Sequence, residues 1–288
     1  MNRFVPFLKY EGLGNDFIVV EARDEHELPA QSVPALCDRR RGIGADGVLL
    51  VLPPREPDCA ARMRVINADG SIPEMCGNGV RCVALHLARA RRTAQGSLLL
   101  DTDAGPRRCT VDDTDARGLV TVDMGIVRVL GERTLELGGS TITVTAADAG
   151  NPHAVLFGAY PRGDIESLGP RLATHPDFPK GTNVEFARLT DGAIDLVVWE
   201  RGVGITLACG TGACATAAVA CAKGLAPRSV PIVVRLPGGT LEVSLDKAGR
   251  ATMRGPARYV FSGAVEVQAA RVENRSARVA SSVPNRNA

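Results

Sequence analysis

Lysine is scarce in this chain: among 288 residues only Lys9, Lys180, Lys223 and Lys247 carry an ε-amino group, and none sits in a phosphate-cradling context. Pyridoxal phosphate needs a Schiff-base lysine, so that cofactor is not expected. No C-x-x-C, no H-E-x-x-H and no paired histidine spacing occurs, and a bound metal is not expected either. No apolar run reaches the roughly 18 residues that a membrane span needs, and the N-terminus lacks a charged leader, an apolar stretch and a cleavage site in sequence. A cytoplasmic chain with no membrane partner is the expectation. Net charge is only +2, and the basic residues are scattered rather than striped, which argues against nucleic acid and for a small-molecule partner. The eight cysteines lack the spacing of a disulfide framework and fit a reducing compartment.

What the chain does have is one short word spelled twice, Cys76-Gly77-Asn78-Gly79 and Cys209-Gly210-Thr211-Gly212. Each copy follows a strand-like run (Arg62 to Asn67; Ile194 to Trp199) and opens a helix-like stretch (Val80 to Ala90; Ala213 to Lys223). A thiol at a helix N-terminus faces unpaired N–H groups and the positive end of the helix dipole, which favour thiolate and can hold a carboxylate. Either copy alone reads more readily as a tight turn with an inert buried cysteine. The repetition shifts that balance. Asn67 and Glu200 each stand nine residues before their cysteine, so both pairs are offset by 133 (209 − 76 and 200 − 67). Gly14-Asn15 and Gly150-Asn151 recur at an offset of 136 (151 − 15). Two halves of one ancestral unit would aim both thiols at a common cleft, where one carbon could be attacked from opposite faces. Cys82 and Cys214, six and five residues beyond the repeated thiols, are turned about 240° and 140° away on a helix and read as core residues.

With 45% hydrophobic residues the chain can bury a sizeable core, and the internal offset favours two domains. Strand-like runs separated by Gly- and Pro-bearing turns surround one helix in each half, an α/β pattern of the α+β type. The stretch Ala213 to Ala222 is small and apolar on every side, so its helix is expected to be buried all round, threaded through its own sheet. Residues 269–288 are polar and without periodicity and read as a disordered tail.

Six ordered motifs resemble the diaminopimelate epimerase family: Gly12-Leu13-Gly14-Asn15-Asp16-Phe17, Asn67-Ala68-Asp69-Gly70-Ser71, Cys76-Gly77-Asn78-Gly79, Gly150-Asn151-Pro152-His153, Glu200-Arg201-Gly202 and Ala208-Cys209-Gly210-Thr211-Gly212. The resemblance runs from about Phe7 to about Val267. It implies two pseudo-symmetric domains, each a curved mixed sheet wrapped around a central helix. They would span 1–125 and 126–257, with a return strand at 258–268 completing the first. It also implies a cofactor-independent isomerase that interconverts LL- and meso-diaminopimelate in lysine and peptidoglycan precursor synthesis, and a homodimer is expected.

On this resemblance Cys76 and Cys209 are the catalytic acid/base pair, and Asn15, Asn67, Asn151, Asn183, Glu200 and Arg201 match substrate-binding positions. Two thiols suit the chemistry, because inverting an α-carbon needs a base on one face and an acid on the other, with pKa values near neutrality. Backbone N–H groups of Gly77, Asn78, Gly210 and Thr211 would converge on the substrate α-carboxylate as carbanionic charge develops. The asparagines taken singly also fit turns. His153 is weighed as a support for Cys76 and Glu200 for Cys209, against plain turn-satisfying roles. Gly47 departs from the pattern, since some members carry a substrate-touching Gln there, and the fine shape of the distal pocket is affected. The nearest rival is a proline or hydroxyproline racemase. From another class, a cysteine redox switch is weakened by the missing C-x-x-C, and a non-catalytic amino-acid-binding protein would be expected to have lost a thiol.

Overall fold

The computed structural model describes residues 2–73, 75–90, 96–112, 117–228 and 230–268. The segment 269–288, expected as a disordered tail, lies outside the described residues. The first half runs β1 (Asn2–Gly12), β2 (Asn15–Glu21), α1 (Val33–Cys37), β3 (Gly47–Leu52) and β4 (Ala61–Asn67). It continues through α2 (Gly77–Ala90), β5 (Gly96–Asp101), β6 (Arg107–Val111) and β7 (Arg117–Ile126). The second half runs β8 (Arg128–Leu137), β9 (Ser140–Asp148), β10 (Pro152–Phe157), α3 (Arg162–Ala173), β11 (Asn183–Thr190) and β12 (Ala193–Glu200). It closes with β13 (Gly204–Thr206), α4 (Gly210–Ala222), β14 (Ile232–Leu236), β15 (Gly239–Leu245) and β16 (Arg250–Gln268).

The duplication is visible strand by strand. β2 and β3 pair parallel, as do β10 and β11; β3 and β4 pair antiparallel, as do β11 and β12. The parallel pair β4 and β5 and the antiparallel pair β5 and β6 recur as β12 with β14 and β14 with β15. β16 joins the halves. Its first part pairs β7 on one side and β15 on the other, and its second part pairs β1 from Glu11↔Arg258 to Asn2↔Gln268. Strands β1 to β7 and β16 therefore close around α2, which packs against all eight. In the other half α4 packs against β8 to β12 and β14 to β16. It is buried continuously from Gly212 to Ala220, as its uniformly apolar sequence requires.

Each sheet has a second apolar face, and period-2 alternation decides which side chain goes where. In β3, Leu49 and Val51 face the helix layer, whereas Val48, Leu50 and Leu52 pack with Val33, Leu36 and Cys37 of α1. In β11, Ala187 faces inward while Val184 and Phe186 pack outward with Ile165, Leu172 and Ala173 of α3. These outer helices carry no sequence signal strong enough to predict. α1 is five residues long, and α3 contains Pro170 and Gly169. Gly169 is there for packing, because a Cβ on it would lie 2.6 Å from the Trp199 ring. β8 is also absent from the sequence reading, as most of its side chains face solvent.

The halves are locked by the β1–β2 turn, where Leu13 takes a left-handed conformation (φ 57°) and is buried. A Cβ on Gly238 would lie 1.8 Å from the Leu13 carbonyl oxygen and 3.0 Å from that of Leu207. Backbone cannot yield as a side-chain tip can. Gly238→Ala is expected to cost about 2–3 kcal/mol, roughly 5–10 °C in Tm; a thermal melt within a degree of wild type would show that the two halves are not locked there.

Candidate active site

The two repeated turns meet face to face. Cys76 precedes α2 and its carbonyl accepts from Val80 N–H at 2.9 Å; Cys209 is the N-cap of α4 and its carbonyl accepts from Ala213 N–H at 3.0 Å. A Cβ built on Gly77 would lie 3.7 Å from the Gly210 Cα, and one on Gly210 3.6 Å from the Gly77 Cα. The same Cβ on Gly77 would lie 3.3 Å from the methyl tips of Met124 and Met253. Glycine at these two positions thus lets two helix N-termini, and the thiol beside each, approach to backbone contact.

Around Cys76 the groups in hydrogen-bond reach are neutral. Its Sγ lies 4.0 Å from Asn15 Oδ1, and the Asn78 amide donates to Asn15 Oδ1 and to the Ala208 carbonyl, both at 3.1 Å. Asn78 therefore ties the first thiol turn to the residue before the second. Asn15 is itself oriented by Asp46, whose Oδ2 accepts from Asn15 Nδ2 at 2.7 Å and from Asp16 N–H at 3.0 Å. Arg39 bridges Asp16 and Asp46, and Lys9 pairs with Asp16. Burial pushes the Cys76 thiol up; the Gly79 and Asn78 N–H groups and the Arg81 charge oppose this, while the Glu200 charge adds to it.

Around Cys209 the surroundings are acidic. Burial holds its thiol well above the ordinary value, and the charges of Glu200 and Glu185 raise it further against the Thr211 hydroxyl and the Gly212 N–H. The Thr211 Oγ1 lies 3.5 Å from Cys209 Sγ. Burial also raises Glu200, opposed by the Thr206 hydroxyl, which donates to it at 2.7 Å. Cys82 and Cys214 are fully buried in the core, Cys214 pushed up to about 12 by burial, as inert thiols should be.

The model of the family described as diaminopimelate epimerase matches residues 7–130 and 145–260. The diaminopimelate epimerase of Desulforudis audaxviator is 45% identical over 278 residues, covering 90% of this chain and 98% of its own. That of Synechococcus elongatus is 43% identical over 288 residues, covering 92% and 99%. The chain belongs to the diaminopimelate epimerase family. Among solved structures, a probable proline racemase of Agrobacterium radiobacter K84 superposes with a TM-score of 0.73 at 19% identity, covering 93% of this chain and 94% of its own. A hydroxyproline epimerase of Agrobacterium vitis does so with 0.73 at 18%, covering 92% and 93%. At these identities the likeness is one of fold.

Of the residues expected from sequence, Asn15 opens β2, Asn67 ends β4, Asn183 opens β11 and Glu200 ends β12. The register sets Gly47 opposite Asn67, and His153 opposite Asn183. Asn67 is bonded to Ser71, Asn151 to the His153 Nε2 at 2.9 Å, and Asn183 accepts the Arg201 backbone N–H at 2.9 Å. The Arg201 side chain is exposed, with its guanidinium on the Lys180 carbonyl. His153, weighed as a support for Cys76, has both ring nitrogens taken up elsewhere, Nδ1 by Glu185 at 2.7 Å and Nε2 by Asn151. No side chain has room at Gly47, where a Cβ would lie 2.7 Å from the Ile66 carbonyl. Sequence reasoning missed Arg81, Glu185 and Asp46. Arg81 and Glu185 had a usable signal, each being a charge at a position whose neighbours in the pattern are apolar.

Proposed function

We propose that this protein is a cofactor-independent epimerase that interconverts LL- and meso-diaminopimelate, serving lysine and peptidoglycan precursor synthesis, with Cys76 and Cys209 as its two acid/base groups. The observation that supports the reading is the close approach of Gly77 and Gly210, each next to a cysteine at a helix N-terminus, in a chain of this family. One thiolate removes the α-proton while the opposite thiol delivers a proton to the other face, so net inversion needs no electron sink beyond the protein. Backbone N–H groups of Gly77, Asn78, Gly210 and Thr211 bind the α-carboxylate and stabilise the carbanionic charge that develops on it. Asn15, Asn67, Asn151 and Asn183 supply neutral donors and acceptors along the substrate, Glu200 takes an ammonium, and Arg201 grips the distal carboxylate.

To the same reading belong a cytoplasmic location and a homodimer, for which Phe4, Val260 and Phe261 on the paired β1 and β16 offer exposed apolar side chains. The test is chromatographic separation of isomers after incubation with LL-diaminopimelate and, separately, L-proline. Conversion to the meso isomer without turnover of proline is expected; proline racemisation at a comparable rate would move the assignment to the racemase reading.

A further inference from the structure

The two halves repeat the backbone around each thiol but not its charges. Gly79 and Gly212 are equivalent (212 − 79 = 133), and so are Leu49 and Glu185 (185 − 49 = 136). The packing agrees: a Cβ on Gly79 would lie 2.9 Å from Leu49 Cδ2, and one on Gly212 3.0 Å from Glu185 Oε1. Glu185 thus occupies an inward position that is apolar in the other half. By the same offsets His153 stands where the first half has Phe17, Glu200 where it has Asn67, and Cys214 where it has Arg81. The added negative charges beside a thiol lie in the second half, and the added positive charge lies in the first.

Both altered positions are buried in ways that a purely structural role does not call for. Arg81 is 0% exposed, and among the described residues no carboxylate is in ion-pair contact with it, Glu11 acting on it only from farther away. Its donors meet the Pro256 carbonyl at 3.1 Å, Met253 Sδ at 3.7 Å and Asn78 Oδ1 at 2.9 Å, all neutral groups. Room for the guanidinium comes from Gly12 and Gly255. Glu185 is also 0% exposed; His153 holds its Oε1, whereas its Oε2 is buried with no hydrogen-bond partner. A buried cation without a contacting counter-ion and a buried carboxylate oxygen without a donor are each costly, and strongly perturbed charges of this kind cluster where their field is used.

We propose that Arg81 and Glu185 are positioning residues that polarise the thiol pair, so that Cys76 is the thiol that ionises first and Cys209 the one that keeps its proton. The groups facing Cys76 are Asn15 from β2, Glu200 from β12, and Arg81 with the Asn78 and Gly79 N–H groups from α2. Those facing Cys209 are Glu185 from β11, Glu200 from β12, and Thr211 with the Gly212 N–H from α4. Each thiol has its helix N-terminus, and Glu200 raises both, standing ahead of Glu185 at Cys209 and behind the Gly79 N–H at Cys76. What differs is Arg81, which favours thiolate at Cys76, and Glu185, which opposes it at Cys209. A carboxylate can only accept, so Glu185 also fixes His153 with its proton on Nδ1. The resting site then holds its base on Cys76 and its acid on Cys209; a forward turnover leaves the proton on Cys76 and the charge on Cys209, and the reverse reaction starts from that form.

The inference rests on Cys76 and Cys209 as the paired bases, yet its test needs no turnover. Alkylation of the substrate-free protein by iodoacetamide is followed against pH, with each cysteine peptide quantified by mass spectrometry; midpoints are compared, because absolute rates also reflect access. In wild type the Cys76 midpoint is expected about one pH unit or more below that of Cys209, a tenfold difference in thiolate ratio. Glu185→Gln keeps an acceptor for His153 and removes the charge, so it lowers the Cys209 midpoint and leaves that of Cys76 nearly unmoved. Arg81→Met raises the Cys76 midpoint, and Arg81→Lys restores it. Coincident or reversed midpoints in wild type would overturn the proposal, as would a Glu185→Gln protein in which both thiols shift together or neither shifts. Should Arg81→Met fail to fold, the wild-type order and Glu185→Gln still decide. If the thiols were not catalytic, full activity in their alanine variants would reveal it while leaving the alkylation order as found.

Discussion

Cys76→Ala and Cys209→Ala are each expected to lower kcat for LL-diaminopimelate by a factor of about 10²–10⁴, the usual contribution of a positioned acid or base, and the two losses do not add. Neither substitution should unfold the chain. Cys209 is an N-cap with extended backbone (φ −131°, ψ 110°) and no side-chain cap bond, so alanine keeps the geometry. Cys76 is half-buried and accepts the first turn of α2 through its carbonyl, which any residue supplies. Losing one sulfur from a packed site costs on the order of 1 kcal/mol. The check pairs steady-state kinetics with a thermal melt: an alanine variant that melts like wild type and keeps more than a few per cent of kcat would remove that thiol from the mechanism.

Arg201→Ala is expected to lose about 2–5 kcal/mol of binding to the distal carboxylate, roughly thirty- to several-thousand-fold in kcat/KM for diaminopimelate. In the substrate-free protein the guanidinium is exposed on the Lys180 carbonyl, a weak alternative partner, so little holds it away from an incoming carboxylate. Its backbone is fixed meanwhile by Asn183, which accepts the Arg201 N–H, and its stem packs on Gly181. The effect should fall on KM more than on kcat, because the distal end is bound alike in ground and transition states. A variant with unchanged kcat/KM would mean that another group reads the far end of the substrate.

The duplication was legible because backbone needs leave marks on residue choice. A helix N-terminus approached by another backbone requires glycine, and Gly77 and Gly210 stand in the same place in both copies. The burial of α4 was legible from its lack of any polar face. What escaped was held by long-range packing. α3 breaks its own helical signal with Pro170 and with Gly169, the latter because Trp199 packs across it, and β8 shows little alternation because most of its length faces water. The charged partners of the thiols escaped for a related reason. Glu185 lies 24 residues before Cys209 (209 − 185), and only the register of β10 and β11, together with the close approach to Gly212, joins it to His153 and the thiol. The empty place at Gly47 was visible in sequence, but its cause, the Ile66 carbonyl on the neighbouring strand, was not.

The central claim is that two thiols on opposite faces invert one carbon, and the isotope content of early product tests it most directly. LL-diaminopimelate is incubated in heavy water with no cofactor added, stopped after a small fraction has converted, and both isomers are examined by mass spectrometry. A two-base site delivers a solvent-derived deuteron from the opposite thiol, so the meso product should carry one deuterium while the recovered LL isomer carries almost none. Deuterium entering the recovered LL isomer as fast as the meso product, or a meso product that retains the original proton, would contradict the account.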